Sequence, residues 1–449
     1  MKYSHQHCVT FAIALCLAAA SHAAVTPEEA AALKTTLTPM GGELAGNRDG
    51  TIPAWTGGLE ASPASSSGRR ADPFAADRKL YSISSKNMAE YEGKLSEGSK
   101  ALFKKYPDSF RIDVYPTRRS ASAPRWVYDN TFKNATRGKL SAALVPQDVY
   151  GGIPFPIPKS GAEVMWNSLL MWRGQAWTTD LQAFLSTADG QNVMTVDART
   201  NLQMPYYFQN SSLEKFNGEY LLAKIVNSGP AIRAGEAFVG RVGLDDSKSR
   251  TWLYLTGQRR VRRLPNSCCD TPSPASAGVM SFDEIGVYGG SLERFNWKIV
   301  GKKEMLVPYN ANRILAPNKS AAVLSGHHFN PDYVRWELHR MWVVEATLAS
   351  GQRHTAHRSV YYVDEDSWMA VLGDRYDAQG KLWKTLFQLP VAINDLPGVV
   401  GGPYGFADLL SGTGFVAQLW NDKNSQYRIQ PPLPDSAFTA DTLAGEGVR

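Results

Sequence analysis

Cysteine is scarce in this 449-residue chain, which contains only four cysteines. Cys8 and Cys16 lie in the N-terminal leader described below, which leaves only the adjacent pair Cys268 and Cys269. Neighbouring Cα atoms lie about 3.8 Å apart, below the usual disulfide range of about 4.4 to 6.8 Å, so a bond within this pair would be strained. We expect two ordinary loop cysteines rather than a redox switch, and a fold held by no disulfide framework.

Long apolar runs are also lacking, because no stretch after the leader reaches the roughly 20 residues of a membrane span without charge or proline. Apolar residues 8–20 follow Lys2 and end at the small-x-small pattern of residues 21–23. This arrangement predicts a signal peptide over residues 1–23 that is cleaved after Ala23. Leu15 precedes Cys16 where a lipoprotein needs a small residue, so we expect no lipid anchor. The prediction is a soluble periplasmic protein of a Gram-negative bacterium, with association with the outer membrane left open.

Catalytic motifs are missing as well, since the sequence has no G-x-S-x-G elbow, P-loop, H-E-x-x-H or dinucleotide-binding G-x-G-x-x-G. His354 and His357 stand three apart in a predicted strand, so they point to opposite faces and do not share a metal there. His327 and His328 are adjacent in a predicted loop, and His339 falls on the charged face of a predicted strand. We therefore expect His327, His328 and His339 to be solvated, and we expect no metal, no cofactor and no enzymatic activity.

The excess of positive charge is mild, with a formal net charge of +6. Together with the predicted export it argues against nucleic acid as a partner, although it suits contact with anionic lipid headgroups. The strongest charge feature is the run of Arg259, Arg260, Arg262 and Arg263. One interpretation is headgroup or partner binding at a barrel rim, because guanidinium groups bind phosphate and carboxylate bidentately. The other is a solvated strand that pairs with neighbouring Asp or Glu.

Apolar and aromatic residues are plentiful, at 43% and 11% of the chain, which is enough for a packed core. From about Glu214 onward they follow a period of two. Residues 294–300 place Phe295, Trp297 and Ile299 on one face, and residues 334–346 repeat this with Trp336, Leu338 and Trp342 buried and with Arg335, Glu337 and His339 on a solvated face. Turn signals predict further strands over residues 354–363, 368–376 and 381–389.

These consecutive strands predict a mainly β fold with a large antiparallel curved sheet, a half-barrel, because accumulated twist prevents a flat sheet of this width. Helical spacing predicts two short helices within residues 86–106 and one helix over residues 161–172. We expect an N-terminal extended and helical segment over residues 24–135 packed on the barrel. The half-barrel itself, with a lid helix and a C-terminal tail, then spans residues 136–449.

A barrel lined by Trp, Tyr, Leu and Val either fills with its own side chains or keeps a cavity for an apolar ligand. The sequence leaves both alternatives open. If there is a cavity, the helix over residues 161–172 is the candidate lid. The candidate ligand-binding residues of cavity and lid are Trp166, Leu169, Leu170, Trp172, Phe295, Trp297, Trp336, Leu338 and Trp342.

Several motifs resemble a large proteobacterial family of unknown function whose members are labelled outer-membrane lipoprotein-sorting proteins. The first is residues 37–58, with the sequence LTPMGGELAGNRDGTIPAWTGG. The resemblance continues through residues 106–119, 149–159, 257–263, 270–276 and 430–438, so it spans essentially the whole chain after the leader.

This family is distantly similar to the lipoprotein carriers LolA and LolB, whose half-barrel and helical lid enclose acyl chains. The resemblance implies a carrier or chaperone that binds a lipid-like molecule for transfer to or from the outer membrane or an exporter. It also implies an RND-type transporter and an outer-membrane protein as partners. The alternative is a non-enzymatic scaffold subunit of an RND-type export complex with a filled barrel. The family has no catalytic residues that can be carried over to this chain.

Overall fold

The computed structural model describes residues 24–63, 68–264, 269–424 and 426–446. The predicted signal peptide, residues 1–23, and Cys268 lie outside these ranges. Cys269 is disulfide-bonded, so the expectation of unbonded loop cysteines is wrong for this residue, which sits in a turn with a left-handed φ of +63°. None of the helices in the described ranges is long and apolar enough to cross a membrane.

Sixteen strands of the described chain form one large sheet, and two smaller sheets have two strands each. In chain order the strands are β1 (Tyr81–Ile83), β2 (Ile112–Val114), β3 (Lys139–Leu140), β4 (Pro146–Gln147), β5 (Ala176–Ser186), β6 (Asn192–Gln203), β7 (Glu219–Gly229), β8 (Ala237–Gly243), β9 (Arg250–Leu255), β10 (Arg260–Leu264), β11 (Phe295–Pro308), β12 (Leu324–Ser325), β13 (His328–Phe329), β14 (Trp336–Leu348), β15 (Arg358–Asp364), β16 (Ala370–Tyr376), β17 (Leu382–Ile393), β18 (Gly398–Asp408), β19 (Gly414–Leu419) and β20 (Arg428–Ile429).

The large sheet is an antiparallel meander in two parts. Its order is β11, β14, β15, β16, β17, β18, β19, β5, β6, β7, β8, β9 and β10, so the pairing of β19 with β5 joins the two parts. The hairpin of β1 and β2 adds to β14, and β20 adds to β5. Within the described residues β10 does not pair with β11, and the sheet stays open. The predicted mainly β fold with a large open antiparallel sheet is confirmed.

Alternation along β11 follows the prediction, because Phe295 is buried, Trp297 and Ile299 are half-buried and Lys298 is exposed. In the pairing of β11 with β14 a bulge separates Ile299 from Gly301. Burial of Trp336 and Leu338 on β14 is confirmed as well. The period of two thus identified these two strands and their apolar face correctly.

The opposite face of β14 contradicts the prediction, because Arg335, Glu337 and His339 are buried at 3%, 0% and 2% exposure. The expectation that they are solvated is wrong because the N-terminal segment covers this face. Arg335 donates a hydrogen bond to Asp77 (2.8 Å), and the backbone N–H of Arg118 donates to Glu337 (2.7 Å). Charged side chains are therefore buried where two distant parts of the chain satisfy each other's polar groups.

The α-helices are few and short, with bounds α1 (Pro27–Ala30), α2 (Glu97–Lys105), α3 (Arg125–Arg137), α4 (Gly161–Leu169), α5 (Ser320–Val323) and α6 (Ala440–Glu446). Short 3-10 helices lie at Ala31–Lys34, Met88–Lys94, Pro205–Tyr207, Leu213–Lys215, Ala231–Arg233, Asp246–Lys248, Thr256–Gln258, Pro274–Ser276, Phe282–Glu284, Leu292–Arg294, Ala311–Leu315, Pro331–Tyr333 and Asp435–Phe438. The two helical segments predicted within residues 86–106 are present as Met88–Lys94 and α2.

Helix α4 begins at a capping box. The Ser160 hydroxyl accepts a hydrogen bond from the backbone N–H of Glu163, and the Glu163 carboxylate accepts one from the backbone N–H of Ser160. Every residue of α4 is buried, and the helix packs on β11, β14 and β15. At its first turn the backbone of β11 comes so close that a Cβ on Gly161 would lie 2.8 Å from the Lys298 nitrogen. The helix ends three residues earlier than the sequence predicts.

The strands β7 to β9 have two differently covered faces. On their outer face Leu222, Val239 and Tyr254 form a small apolar cluster with Phe438 and with Leu443 of α6. The alternate residues point to the inner face, as the pleat of a strand requires. There they meet the candidate site rather than a packed core.

Candidate functional site

The inner face of the sheet encloses a mostly apolar cavity of about 390 Å³. This volume lies in the range of about 300 to 1,000 Å³ that is typical of small-molecule sites. Strands β5 to β9 contribute alternate residues to its wall, namely Leu181, Ala183, Thr200, Leu202, Leu221, Ala223, Ile225, Phe238, Val242, Thr251 and Leu253.

The wall continues across the junction of the two parts of the sheet. Tyr404 on β18 and Phe415 and Ala417 on β19 line the same cavity. One cavity therefore contacts strands from β18 through β19 and β5 to β9, which requires the sheet to curve around it. The curved and open sheet is the half-barrel that the sequence predicts.

The cavity is covered by the chain between β10 and β11 and by the C-terminal end of α4. We call described residues 269–293 the cover segment. Met280, Phe282 and Tyr288 of the cover segment line the cavity, as do Trp166 and Leu169 of α4. The cover segment carries little regular structure, so its position depends on side-chain contacts with the sheet.

Buried ion pairs fix the cover segment to the sheet. Asp283 lies 2.8 Å from Arg375 on β16 and 2.9 Å from the Nε2 atom of His354, and Glu284 lies 3.1 Å from Lys384 on β17. Burial alone would raise the pKa of Asp283, but the adjacent Arg375 and His354 lower it well below its usual range. The Asp283 carboxylate is therefore charged at neutral pH, and its ion pairs keep the cover segment in contact with the sheet.

Polar groups form a minority of the cavity wall. Arg173 follows α4 and lines the cavity together with the phenol groups of Tyr220 and Tyr404. Burial raises the pKa of both tyrosines, so their hydroxyls are neutral donors at physiological pH. The charged residues among the lining residues are Arg173, Arg233, Asp246 and Glu293. Arg233 already pairs with Glu236 at 2.8 Å.

The arginine run forms the edge of the sheet. Arg259 lies in the turn before β10 with a φ of +48°, and Arg260, Arg262 and Arg263 are exposed on β10. Arg262 pairs across to Leu253, a residue of the cavity wall, so Arg260 and Arg262 share the inner face with the cavity and Arg263 lies on the outer face.

The predicted pairing of these arginines with acidic neighbours is not what the structure has. Within the described ranges none of the four forms an ion pair. An exposed row of cations on an edge strand also discourages pairing with another chain. Headgroup or partner binding by this edge stays a prediction.

The residues predicted to bind a ligand fall into two places. Trp166 and Leu169 line the cavity. Leu170 and Trp172 are buried beside it, where the Trp172 ring packs edge-on against Trp126 and Tyr207. The remaining five lie away from the cavity on β11 and β14, and they are Phe295, Trp297, Trp336, Leu338 and Trp342.

One buried cluster has the geometry of a metal site. His339, Asp364 and Asp366 each offer a ligand atom, and these atoms lie within 4.8 Å of one another. The carboxylates already have protein partners, because Arg119 donates two hydrogen bonds to Asp366 (2.7 and 2.8 Å) and Tyr309 donates one to Asp364 (2.9 Å). The cluster is thus an ion-pair network that joins the N-terminal segment to the sheet.

Two groups of functional residues were not identified from the sequence. Arg173 directly follows the apolar residues 169–172. A single cation after such a run is the feature of the sequence that could have identified it. The anchor residues Asp283 and Glu284 follow Ser281 in a capping-box pattern, which locates a short helix but does not name its partners on β16 and β17.

Comparison with known proteins identifies the family to which this chain belongs. The model of the family described as a protein of unknown function (DUF1329) matches residues 82–444, and the chain belongs to this family. It is 37% identical over 438 residues to the uncharacterized protein PA3922 of Pseudomonas aeruginosa, and the matched region covers 95% of each chain. The family resemblance seen in the sequence motifs is confirmed.

Three solved structures are similar at lower identity. A DUF1329 family protein from Desulfovibrio piger is 17% identical and covers 60% of this chain and 92% of its own, with a TM-score of 0.42. A domain named as an outer-membrane lipoprotein-sorting protein from Vibrio parahaemolyticus is 14% identical, with the same coverages and TM-score. A LolA superfamily protein from Nitrosomonas europaea is 13% identical and covers 64% of this chain and all of its own, with a TM-score of 0.38.

Proposed function

We propose that this protein is a non-enzymatic periplasmic carrier that holds a hydrophobic or lipid-like molecule in its cavity. The observation that carries the proposal is the apolar cavity itself, about 390 Å³ of space on the inner face of a curved sheet. A barrel that served only as a scaffold has no need to leave this space unfilled, because protein interiors are otherwise close-packed.

The energetics of such binding are favourable. An acyl chain of about 16 carbons that is buried at roughly 0.8 kcal/mol per CH₂ contributes about 12 kcal/mol before ordering costs are subtracted. The lining residues of β5 to β9 are aliphatic and aromatic, which suits a chain of this kind. On this proposal the ligand passes to or from the outer membrane or an exporter, with an RND-type transporter and an outer-membrane protein as partners.

A neutral fluorescent probe tests the cavity. N-phenyl-1-naphthylamine should bind the purified protein, and Leu202→Trp should weaken its binding by about tenfold or more because the larger ring fills the space. Val193→Trp is the matched control, since Val193 lies on the same strand, is 49% exposed and is not a lining residue. If wild type binds no neutral probe at high micromolar concentration and native mass spectrometry finds no co-purified lipid, the scaffold hypothesis replaces this proposal.

Location is tested separately from binding. Cleavage after Ala23 predicts a mature protein that begins at Ala24 and fractionates with the periplasm. Intact mass of the protein from its native host decides this. A protein that retains residues 1–23, or one that carries a diacylglycerol on Cys16, would contradict the periplasmic part of the proposal and leave the cavity part standing.

A further inference from the structure

Arg173 is a cation in an apolar site. It lies in the turn between α4 and β5, where Gly174 with a φ of +92° redirects the chain. One Nη atom donates to the backbone carbonyl of Leu169 (2.8 Å), while the buried Nε atom has no hydrogen-bond partner among the described residues. Arg173 is also one of the residues that line the cavity. The bond to Leu169 is the one hydrogen bond that the Arg173 guanidinium makes to the described residues, so further donors remain on a side chain that lines the cavity.

The fully buried arginines of the described residues have carboxylate partners. Arg119 pairs with Asp366 (2.7 Å), Arg340 with Glu365 (2.8 Å) and Arg375 with Asp283 (2.8 Å). Arg173 forms no ion pair within the part of the chain that the structure describes, and burial lowers the pKa of its guanidinium. Arg173 is half-buried and its Nε atom is fully buried, so a guanidinium without a counter-ion is costly here, and an anion at this position would be stabilising.

The groups around Arg173 are phenols. The titratable groups that act on the pKa of Arg173 are the phenols of Tyr427, Tyr220 and Tyr207. Tyr427 donates to the Arg173 carbonyl and Tyr207 to the Leu170 carbonyl, so these two hydroxyls are engaged. The Tyr220 hydroxyl makes no hydrogen bond to the described residues, and Tyr220 lines the cavity. A second donor is thus available beside the guanidinium.

Negative charge already on the cavity wall does not meet this demand. Asp246 lines the cavity, but it has no atom within 4.0 Å of a cationic nitrogen of Arg173. Burial raises the pKa of Asp246, and a hydrogen bond to Ser249 opposes that rise. Glu293, at the end of the cover segment, also lines the cavity and forms no ion pair with Arg173. The counter-ion of Arg173 therefore has to come from outside the described chain.

We propose that the cavity takes an amphiphile with an anionic head, a carboxylate or a phosphate monoester on a single apolar chain, and that Arg173 binds the head. This inference rests on the proposed carrier function and specifies its ligand class. The planar guanidinium binds two oxygens of such a head in parallel, and the Tyr220 hydroxyl donates a further hydrogen bond. The chain then occupies the apolar wall formed by β5 to β9.

Displacement of the neutral probe measures the preference for the head. Dodecanoate and dodecyl phosphate should each displace N-phenyl-1-naphthylamine at a concentration about tenfold or more below that of dodecan-1-ol, because a hydrogen bond to a charged group adds to the common burial of the chain. Comparison of the two anions identifies the head that is preferred. Acetate and inorganic phosphate, which have no chain, should not displace the probe.

Variants assign the preference to one residue. Arg173→Gln should remove the advantage of the anions and leave displacement by dodecan-1-ol unchanged within about twofold, and Arg173→Lys should retain part of the advantage. Arg199→Gln is the matched control, since Arg199 lies on β6, pairs with Asp180 (2.7 Å) outside the cavity and should keep the full preference. If Arg173→Gln does not fold, two other measurements test the role of Arg173. They are the displacement of the probe from Arg173→Lys and, for wild type, the ratio of the displacing concentrations of dodecan-1-ol and the two anions.

Failure of this inference is distinct from failure of the carrier proposal. A wild-type protein that binds the probe but ranks dodecan-1-ol equal to dodecanoate overturns the role of Arg173 and leaves the carrier proposal intact. A preference that persists in folded Arg173→Gln also overturns it, because the head is then bound elsewhere. A protein that binds no probe and carries no co-purified lipid removes both proposals.

Discussion

The buried histidine on β14 gives stability a specific dependence on pH. His339 lies with its Nε2 atom 3.1 Å from Glu337 and its Nδ1 atom 3.3 Å from Asp364, and its ring stacks on Tyr309. Burial by itself lowers the pKa of His339, but the adjacent carboxylates of Asp364 and Glu337 outweigh it and raise the pKa to about 9. The imidazolium form therefore bridges two buried carboxylates at neutral pH.

The sign and size of the effect follow from linkage between protonation and folding. The pKa of histidine in an unfolded chain is about 6.5, and each tenfold difference in proton affinity is worth about 1.4 kcal/mol. Because the pKa is higher in the folded state, the stabilisation is fully present below pH 6.5 and is lost as the pH rises through about 9. The free energy of unfolding should fall by about 3 kcal/mol over this interval.

Urea unfolding followed by tryptophan fluorescence at pH 6.0, 7.5 and 9.5 measures this loss. His339→Gln removes the titrating group, so the difference between wild type and variant isolates its contribution from other ionisations. His357→Gln is the matched control, because His357 is exposed and the same substitution there should leave the pH profile unchanged. A difference between wild type and His339→Gln that stays constant from pH 6.0 to 9.5 would refute the bridging role of the imidazolium.

Three further predictions separate core, cavity and edge. Trp336→Ala should lower the free energy of unfolding by about 3 to 5 kcal/mol in a denaturant titration, because Trp336 is a packed core residue. Probe affinity should stay unchanged, because Trp336 does not line the cavity. Weaker probe binding by the folded variant would contradict this placement. Trp166→Gln should reduce both stability and probe binding, whereas Trp172→Gln should reduce stability alone, and the reverse order would show that Trp172 belongs to the site. Joint replacement of Arg259, Arg260, Arg262 and Arg263 by Gln should weaken binding to phosphatidylglycerol vesicles at low salt, by about 1 kcal/mol for each arginine near the surface. Co-sedimentation with the vesicles measures this binding. Equal co-sedimentation of wild type and variant would show that this edge does not bind lipid headgroups.

The sequence predicted the meander because burial of one strand face leaves a local trace. Phe295, Trp297 and Ile299 repeat every second residue, and the pleat converts that spacing into a shared face without knowledge of any other part of the chain. The same logic failed at Arg335, Glu337 and His339, where charge was taken as a sign of solvent. Their partner Asp77 lies 258 residues from Arg335 in sequence, and no local pattern reports a contact at that separation.

The cavity was beyond the sequence for a related reason. Leu202 on the cavity wall and Leu338 in the packed core are the same residue type with the same alternation, and they differ only in what lies opposite. Candidate ligand-binding residues were predicted on the aromatic strands β11 and β14, because large side chains suit both a packed core and a ligand site. The wall is instead built from β18, β19 and β5 to β9, and polar outer residues such as Arg199 on β6 mask the apolar inner row.

The pairing of β19 with β5 has a consequence for folding order. The N-terminal part of the sheet gains its neighbour on this side only when Gly414–Leu419 are present, more than 200 residues after β5 begins. Until then β5 offers an unpaired edge, and the cavity lacks the wall that Phe415 and Ala417 provide. Contacts between such distant segments slow folding, because loop closure comes before the interactions that reward it. We therefore expect the cavity to form late, and a chain that ends before β19 to expose β5 and β18 as unpaired edges that invite aggregation.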